Sequence, residues 1–233
     1  MRLIVNQELN KKIKGLTVAS AIIDGFSQGK LDRSELVKAE EKLKKILNTR
    51  FKNPDELIVS ETILRYQSFF RDVLKLDLID IKPLNEVFGT LILSGQRMDY
   101  NNPLQDLINL ISGAAGFPVF TFDGDKIQGE INFKYAVKGD RFESDTIKGE
   151  RILEEKDIIF SDDRKVFFLY PYAVSNEVKV NEKTGKIIVS VCGVPGVSGL
   201  DLLWALKLTV KLLTKIFNGK AKPIFQEITG NGN

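Results

Sequence analysis

The sequence predicts an α+β fold with mixed and antiparallel sheets and packed helices. Two observations carry this. Apolar residues recur mainly at helical spacing up to Gly116, and from Val119 to Cys192 they fall into short runs that suit strands, several of them alternating with polar residues. A long amphipathic segment then closes the pattern, so strands lie between helices rather than alternating with them one for one, as they would in an α/β protein. A chain of 233 residues with 43% hydrophobic and 28% charged residues suits one large globular domain or two small ones.

The elements follow from local signals. LTVASAIIDGF (Leu16 to Phe26) reads as a buried strand ending at a glycine turn. Asp32, with Glu35 three residues on, is a capping-box-like start for a helix to about Thr49, whose inward face is Leu36, Leu43, Ile46 and Leu47. Pro54 marks a break, Ser60 to Leu74 is helical again, and a short helix follows Pro83. Asn102 as N-cap and Pro103 at the first helical position begin a helix that runs to Gly116-Phe117-Pro118. The strands VFTFD, GEINFKYAV, DIIFSD, KVFFLYPYAV and KIIVSVC come next, and Ser198 caps the final helix, to Phe217. Residues 1–60 form a strand–helix segment expected to pack on the rest, residues 61–233.

Composition excludes several chemistries. The sequence has no histidine, which rules out Ser-His-Asp triads, Cys-His dyads and His-ligated zinc. The single cysteine, Cys192, rules out an internal disulfide and a multi-cysteine metal site, and its apolar surroundings suit a buried inert thiol. Acid–base work falls to carboxylates, Lys, Tyr or bound water. No cofactor and no metal is expected. A net charge of +3 is too small to name a partner by itself. The opening MRLIVNQELNKKIKG has no apolar run long enough for a signal peptide, and no membrane span is expected, so a cytoplasmic protein is the expectation.

Four constellations are candidates for function. Asn102, Asp106 and Asn109 fall on one face of their helix, opposite Leu104, Leu107, Ile108, Ile111 and Ala115. The row either grips a ribose, a base edge or a terminal hydroxyl, or ties the helix to a neighbouring loop. GVPGVSG (Gly193 to Gly199) has the place of an anion-binding strand-to-helix turn but lacks P-loop and dinucleotide spacing, and reads as a tight turn. Lys207, Lys211 and Lys215 recur at four-residue spacing beside Trp204, with Lys220 and Lys222 beyond, as an RNA-backbone stripe or simply a wet helix face. Tyr170, Tyr172, Ser175, Asn176 and Lys179 either line a pocket mouth or pack structurally.

Taken in order, these residues resemble a known family. YNNPLQDLINLISGAAGFPVFTFDGDKIQG (Tyr100 to Gly129) is similar to the B3/B4 domain, the tRNA-binding and editing domain of the phenylalanyl-tRNA synthetase beta chain, and more closely to free-standing proteins built from that domain alone. The matching positions are Asn102, Asp106, Asn109, Gly116, Pro118, Phe122 and Asp123. Arg65, Tyr66, Arg71, Pro83 and Glu86 fit the preceding segment, KDIIFSDD a following strand, and Ser175, Lys179 and Thr184 a later stretch. The likeness covers nearly all of the chain after about residue 60, so that 61–233 becomes a B3/B4-like domain around a central pocket. It implies binding of tRNA or aminoacyl-tRNA, with no membrane and no DNA partner. It also implies hydrolysis of misacylated tRNA in trans, with Asp106 ordering the water. Asn102, Asn109, Phe120, Asp123, Tyr170, Tyr172, Ser175, Asn176 and Lys179 would hold the ligand, and Lys207, Lys211 and Lys215 the RNA. The alternative is a non-catalytic RNA-binding or amino-acid-like ligand-binding module. Phe120 stands where the synthetases have a histidine, Leu169 to Val174 replaces a glycine-rich loop, and Gly89-Thr90 replaces a double arginine.

Overall fold

The computed structural model describes residues 1–96, 101–147, 149–217 and 224–229, the last six through their backbone alone. Lys220 and Lys222 lie outside the described residues. Eleven strands are described: β1 (Leu3–Val5), β2 (Thr17–Asp24), β3 (Val119–Asp123), β4 (Ile131–Tyr135), β5 (Arg141–Ser144), β6 (Gly149–Ile152), β7 (Ile158–Ser161), β8 (Val166–Leu169), β9 (Ala173–Val174), β10 (Lys186–Gly193) and β11 (Ile224–Thr229). The helices are α1 (Gln7–Lys12), α2 (Arg33–Asn48), α3 (Pro54–Ile58), α4 (Glu61–Ser68), α5 (Leu84–Leu93), α6 (Pro103–Ala115) and α7 (Gly199–Ile216). The expected α+β class is what the fold has.

Among the described residues the strands form three sheets. An antiparallel sheet runs β11-β2-β10-β3, and a mixed sheet runs β1-β4-β7-β8-β9 with β1 parallel to β4. β5 and β6 make a separate exposed hairpin, where Arg141 pairs with Glu150 across the strands. The N-terminal strand β2 lies inside the antiparallel sheet, in register with β10 from Thr17↔Gly193 to Asp24↔Lys186. Residues 1–60 therefore contribute to the same core as the rest.

Each large sheet turns an aromatic face to the other. Register places Phe120 and Phe122 of β3 beside Ser190 and Ile188 of β10. The Phe122 ring meets Phe160, Phe167 and Phe168 at centroid distances of 6.3, 5.3 and 5.2 Å, and Phe120 meets Phe168 at 4.7 Å. All four pairs are tilted or edge-to-face, the arrangement that ring quadrupoles favour. The polar Ser20 and Ser190 satisfy each other on the same buried face, Oγ to Oγ 2.8 Å. α7 packs on β2 and β10, α2 and α6 pack beside it, and α5 packs on α6.

Tyr170 ties the sheets at one end. Its hydroxyl reaches across to donate to the backbone carbonyls of Gly193 (2.7 Å) and Thr17 (3.1 Å), the last paired residues of β10 and β2. Tyr66 of α4 donates to the Cys192 carbonyl next to them. Burial pushes both phenols, and the Cys192 thiol, well above their ordinary pKa, so all three stay neutral. Tyr170 therefore belongs to the core and not to a pocket mouth.

Local signals explain most helix ends. Asp32 accepts from the Ser34 and Glu35 amides, as a cap should. Pro54, expected to interrupt the chain, instead opens the short helix α3, with the Asn53 side chain accepting from Glu56 N. Ser198 occupies the N-cap of α7 without a side-chain cap bond. α5 and α6 cross at glycines. A Cβ on Gly113 would lie 2.6 Å from the Phe88 carbonyl carbon and the Gly89 nitrogen, so the two backbones touch here.

Two outcomes follow. Tyr170→Phe removes the hydroxyl that reaches the Thr17 and Gly193 carbonyls and should cost about 0.5–1.5 kcal/mol in urea unfolding. A change within experimental error would show that the hydroxyl does not bridge the sheets. Gly113→Ala should also destabilise, by about 1–3 kcal/mol from overpacking. It should do so even though alanine is roughly 1 kcal/mol the better helix former. A stabilised variant would contradict the close α5–α6 crossing.

Candidate functional site

The first turn of α6 faces an open cavity of about 350 Å³. That size is within the range of ligand pockets. Its floor is Leu104, Phe120, Thr121 and Tyr172, all buried. Half-buried Leu84, Val174 and Val180 form the walls, and the exposed Asn102, Gln105, Thr146 and Lys179 the rim.

The topology explains the space. β3 and β9 are edge strands of the two large sheets, so neither has a further strand beside it among the described residues. The cavity opens where these edges meet the starts of α5 and α6. A more polar groove, lined by residues that include Ser27, Asn101 and Glu182, adjoins it, and Asn102 lines both.

Of the residues expected to hold a ligand, Asn102, Phe120, Tyr172 and Lys179 come together at this cavity. The Tyr172 ring lines it, while the hydroxyl accepts from Arg151 Nη1 (3.0 Å), whose other nitrogen donates to Asp157 Oδ1 (2.7 Å). Burial raises the Tyr172 pKa, against the lowering effect of Arg151. Lys179 is paired with Asp145.

Other expected residues have structural partners outside the lining. The Asn102 carboxamide caps α6 by accepting from Gln105 N (3.2 Å), and Asp106 Oδ2 accepts from Asn102 N (3.2 Å). Asp106 thus sits one turn behind the rim, half-buried, and Asn109 is buried and accepts from Gln105 Nε2 (2.9 Å). These bonds tie the start of α6 to itself, where the sequence reading had the row reach a neighbouring loop. Asp123 is buried; it accepts from Thr184 Oγ1 (2.8 Å) and from Asp125 N (3.1 Å). Ser175 Oγ accepts from Glu177 N (3.2 Å), and Asn176 Oδ1 from Asp145 N (3.2 Å). The first bond shapes the turn after β9 that carries Lys179, and the second ties that turn to the one after β5 that carries Thr146. Tyr170 is the inter-sheet tie already described.

Leu84, Leu104, Gln105, Thr121, Thr146, Val174 and Val180 were not anticipated. Leu104 and Gln105 share the first turn of α6 with the expected Asn102, and Val174 and Val180 flank the expected loop, so proximity could have found these four. Nothing in the local pattern around Thr146 marks it. Among the described residues no three carboxylate or thiol side chains converge as metal ligands do.

On α7, Lys207, Lys211 and Lys215 share an exposed stripe flanked by the half-exposed Trp204. Lys215 is bound by Glu35 of α2, which also holds Lys38. These two lysines hold the Glu35 carboxyl below its ordinary pKa. Among the described residues no ion pair engages Lys207 or Lys211. The Gly193 to Gly199 segment forms a turn closed by Val197 N on the Val194 carbonyl (3.0 Å). The Arg65 guanidinium lies where a Cβ of Gly196 would stand.

Since Val180 borders open space and Cys192 is in filled core, enlarging each should separate them. Val180→Phe should change stability by less than about 1 kcal/mol, whereas Cys192→Phe should cost about 3 kcal/mol or more. Equal losses in urea unfolding would mean that the cavity is not open.

Comparison with known proteins agrees with the expected resemblance. The family model described as the B3/4 domain matches residues 80–212, more than half of the chain. The phenylalanine–tRNA ligase beta subunit of Corynebacterium jeikeium (strain K411) is 30% identical over 99 residues, 42% of this chain and 11% of that one. The same subunit of Corynebacterium glutamicum (strain ATCC 13032) is 35% identical over 77 residues, 33% of this chain and 9% of that one. The chain thus spans about a tenth of the length of these relatives. A crystallised N-terminal fragment of the phenylalanyl-tRNA synthetase beta subunit from Pyrococcus horikoshii aligns over 97% of this chain and 53% of its own, with 15% identity and a TM-score of 0.49. With a family match over that length, this chain belongs to the B3/4 domain family.

Proposed function

We propose that the chain binds the aminoacylated end of a tRNA, or an amino-acid-like ligand that resembles it, with the ligand's apolar part in the α6 cavity. The observation that carries this reading is that cavity: its described lining falls within residues 80–212, the part that matches the B3/4 family. The matched relatives, phenylalanine–tRNA ligase beta subunits, act in aminoacylation of tRNA by name, which supports RNA as the carrier of the ligand. Lys207 and Lys211 of α7, which no ion pair engages among the described residues, are with Lys215 the proposed contacts to phosphate. A cytoplasmic setting, where charged tRNA is used, accompanies this reading. Among the described residues no helix is long and apolar enough to cross a membrane.

Hydrolysis in trans is the second reading, and it rests on Asp106. Its carboxylate lies one helical turn behind the rim residue Asn102 and is half-buried. Ester hydrolysis needs a positioned water and donors for the oxyanion. Asp106 would order the water, and the rim carboxamides of Asn102 and Gln105 would donate. A non-catalytic module is favoured instead by the lining itself, whose titratable groups are Lys179 and Tyr172.

Two measurements separate these readings. With a panel of correctly and wrongly charged tRNAs, the hydrolytic reading expects wild type to release amino acid from a subset and Asp106→Ala to lose at least about 100-fold of the rate. Release unchanged by Asp106→Ala would remove Asp106 from the chemistry, and no release at all would leave a binding module. Affinity for tRNA should fall steeply with salt, and the double variant Lys207→Ala/Lys211→Ala should lower the slope of log K against log salt by about 2. An unchanged slope would take RNA off α7.

A further inference from the structure

α2 and α7 run antiparallel beside each other. The Asp32 amide at the start of α2 donates to the Ile216 carbonyl at the end of α7 (2.7 Å), and Glu35, one turn on, holds Lys215. At the other end of the pair, Asp201 in the first turn of α7 acts electrostatically on Arg50, just past α2. The acids Glu35 and Asp201 thus stand at the two ends, each with a cation of its own.

Between these ends the face is basic. At about 100° per residue, Lys42 returns to the Glu35 line of α2 within about 20°, and about 10 Å farther along the axis. The same distance back along α7 from Lys215 falls between Lys207 and Lys211, so Lys42 lies alongside them. All three lysines are exposed, and among the described residues no ion pair engages any of them. Leu200, Trp204, Lys207 and Lys211 fall within about 60° of one another and make the exposed stripe of α7, with Leu202, Leu206 and Leu213 turned into the core. Trp204 is 46% exposed, and among the described residues no other ring, cation or hydrogen-bond partner takes its indole.

The apolar part of this stripe is two side chains, Leu200 and Trp204. That is too little for a protein interface of about 800 Å² per partner, or for a helix lying in a membrane, which needs an apolar face along its length. One aromatic ring among uncompensated lysines instead suits a nucleic-acid strand, whose phosphates meet the ammoniums while a base lies on the ring. We propose that the α2–α7 face is a platform for unpaired RNA, with a base stacked on Trp204 and the flanking phosphates held by Lys42, Lys207 and Lys211, which rests on the RNA reading of α7 given above. A duplex keeps its bases stacked on one another and has none to offer Trp204, so the platform prefers a single strand. It also draws α2, which lies outside the family match at residues 80–212, into the contact.

The test is a fluorescence titration of the whole chain, read through Trp204, its single tryptophan. The probes are a single-stranded RNA of about ten nucleotides and mixed sequence, the same strand paired with its complement, and vesicles of anionic phospholipid. The single strand should quench Trp204 and bind about tenfold more tightly than the duplex, a ratio that one stacked base supplies. Trp204→Leu keeps an apolar side chain at an exposed position and should leave thermal unfolding unchanged. Followed by anisotropy of labelled RNA, that variant should bind the strand about tenfold more weakly and the duplex as before. Lys42→Ala should lower the slope of log K against log salt for the strand by about 1. A strand bound no more tightly than the duplex, or unmoved by Trp204→Leu, would overturn the platform and leave RNA on α7 through its lysines alone. An unchanged slope for Lys42→Ala would overturn the part given to α2. Vesicles that change the fluorescence where RNA does not would overturn the platform in favour of a membrane surface. No binding of strand or duplex by either readout would overturn the RNA reading together with it.

Discussion

Phe122 touches Phe160, Phe167 and Phe168 across the gap between the two large sheets, and the placement of the cavity depends on that contact. The rings keep the two sheets face to face with β3 and β9 at their margins, where the cavity opens. Rings of this size bury enough apolar surface that each truncation costs several kcal/mol, on the order of 3–5 kcal/mol for Phe→Ala. Tyr170 adds direction to a contact that would otherwise be non-directional. Its ring packs against Phe133 and Phe160, and its hydroxyl fixes the end of the β2–β10 pair.

The site is what remains where this packing stops. An edge strand, a two-residue strand and two helix starts cannot fill the corner among them, and the floor is paved by residues that the core already orders, Phe120 and Tyr172 among them. The rim is built differently. Asn102, Gln105 and Asp106 are tied to one another at the start of α6, and Ser175, Asn176 and Asp145 order the loop opposite. A preordered rim around an apolar floor lowers the ordering cost of binding. It also places Lys179, the one charged lining residue among those described, where water reaches it.

Much of the frame was legible in the sequence because its signals are local. Asp32, Asn102 and the Gly116-Phe117-Pro118 breaker mark helix ends through short-range chemistry, and KIIVSVC and VFTFD are too apolar to be anything but buried. What was missed has weak or remote signals. β1 is three residues long and exists by pairing with β4, more than a hundred residues away, and the β5–β6 hairpin is largely charged on its exposed faces. Pro54 looks the same in sequence whether it ends an element or begins one. The site was half legible. Asn102, Phe120, Tyr172 and Lys179 were within reach because polar or aromatic residues cluster in their segments. Tyr170 and Asp123 had the right chemistry but were drawn into the core by the backbone carbonyls and the Thr184 hydroxyl. Thr146 joins the rim only because the chain folds back after β5.

The central claim is that the corner between β3, β9 and α6 receives the aminoacyl end of an RNA. The most direct measurement is an NMR titration of the isotope-labelled chain with a short RNA whose 3′ end carries an amide-linked, non-hydrolysable aminoacyl group. The account predicts that the amides of Leu104, Gln105, Phe120, Thr121, Val174 and Val180 shift together and saturate, and that the same RNA without the aminoacyl group moves them far less. Shifts confined to α7, or equal shifts with and without the aminoacyl group, would contradict it.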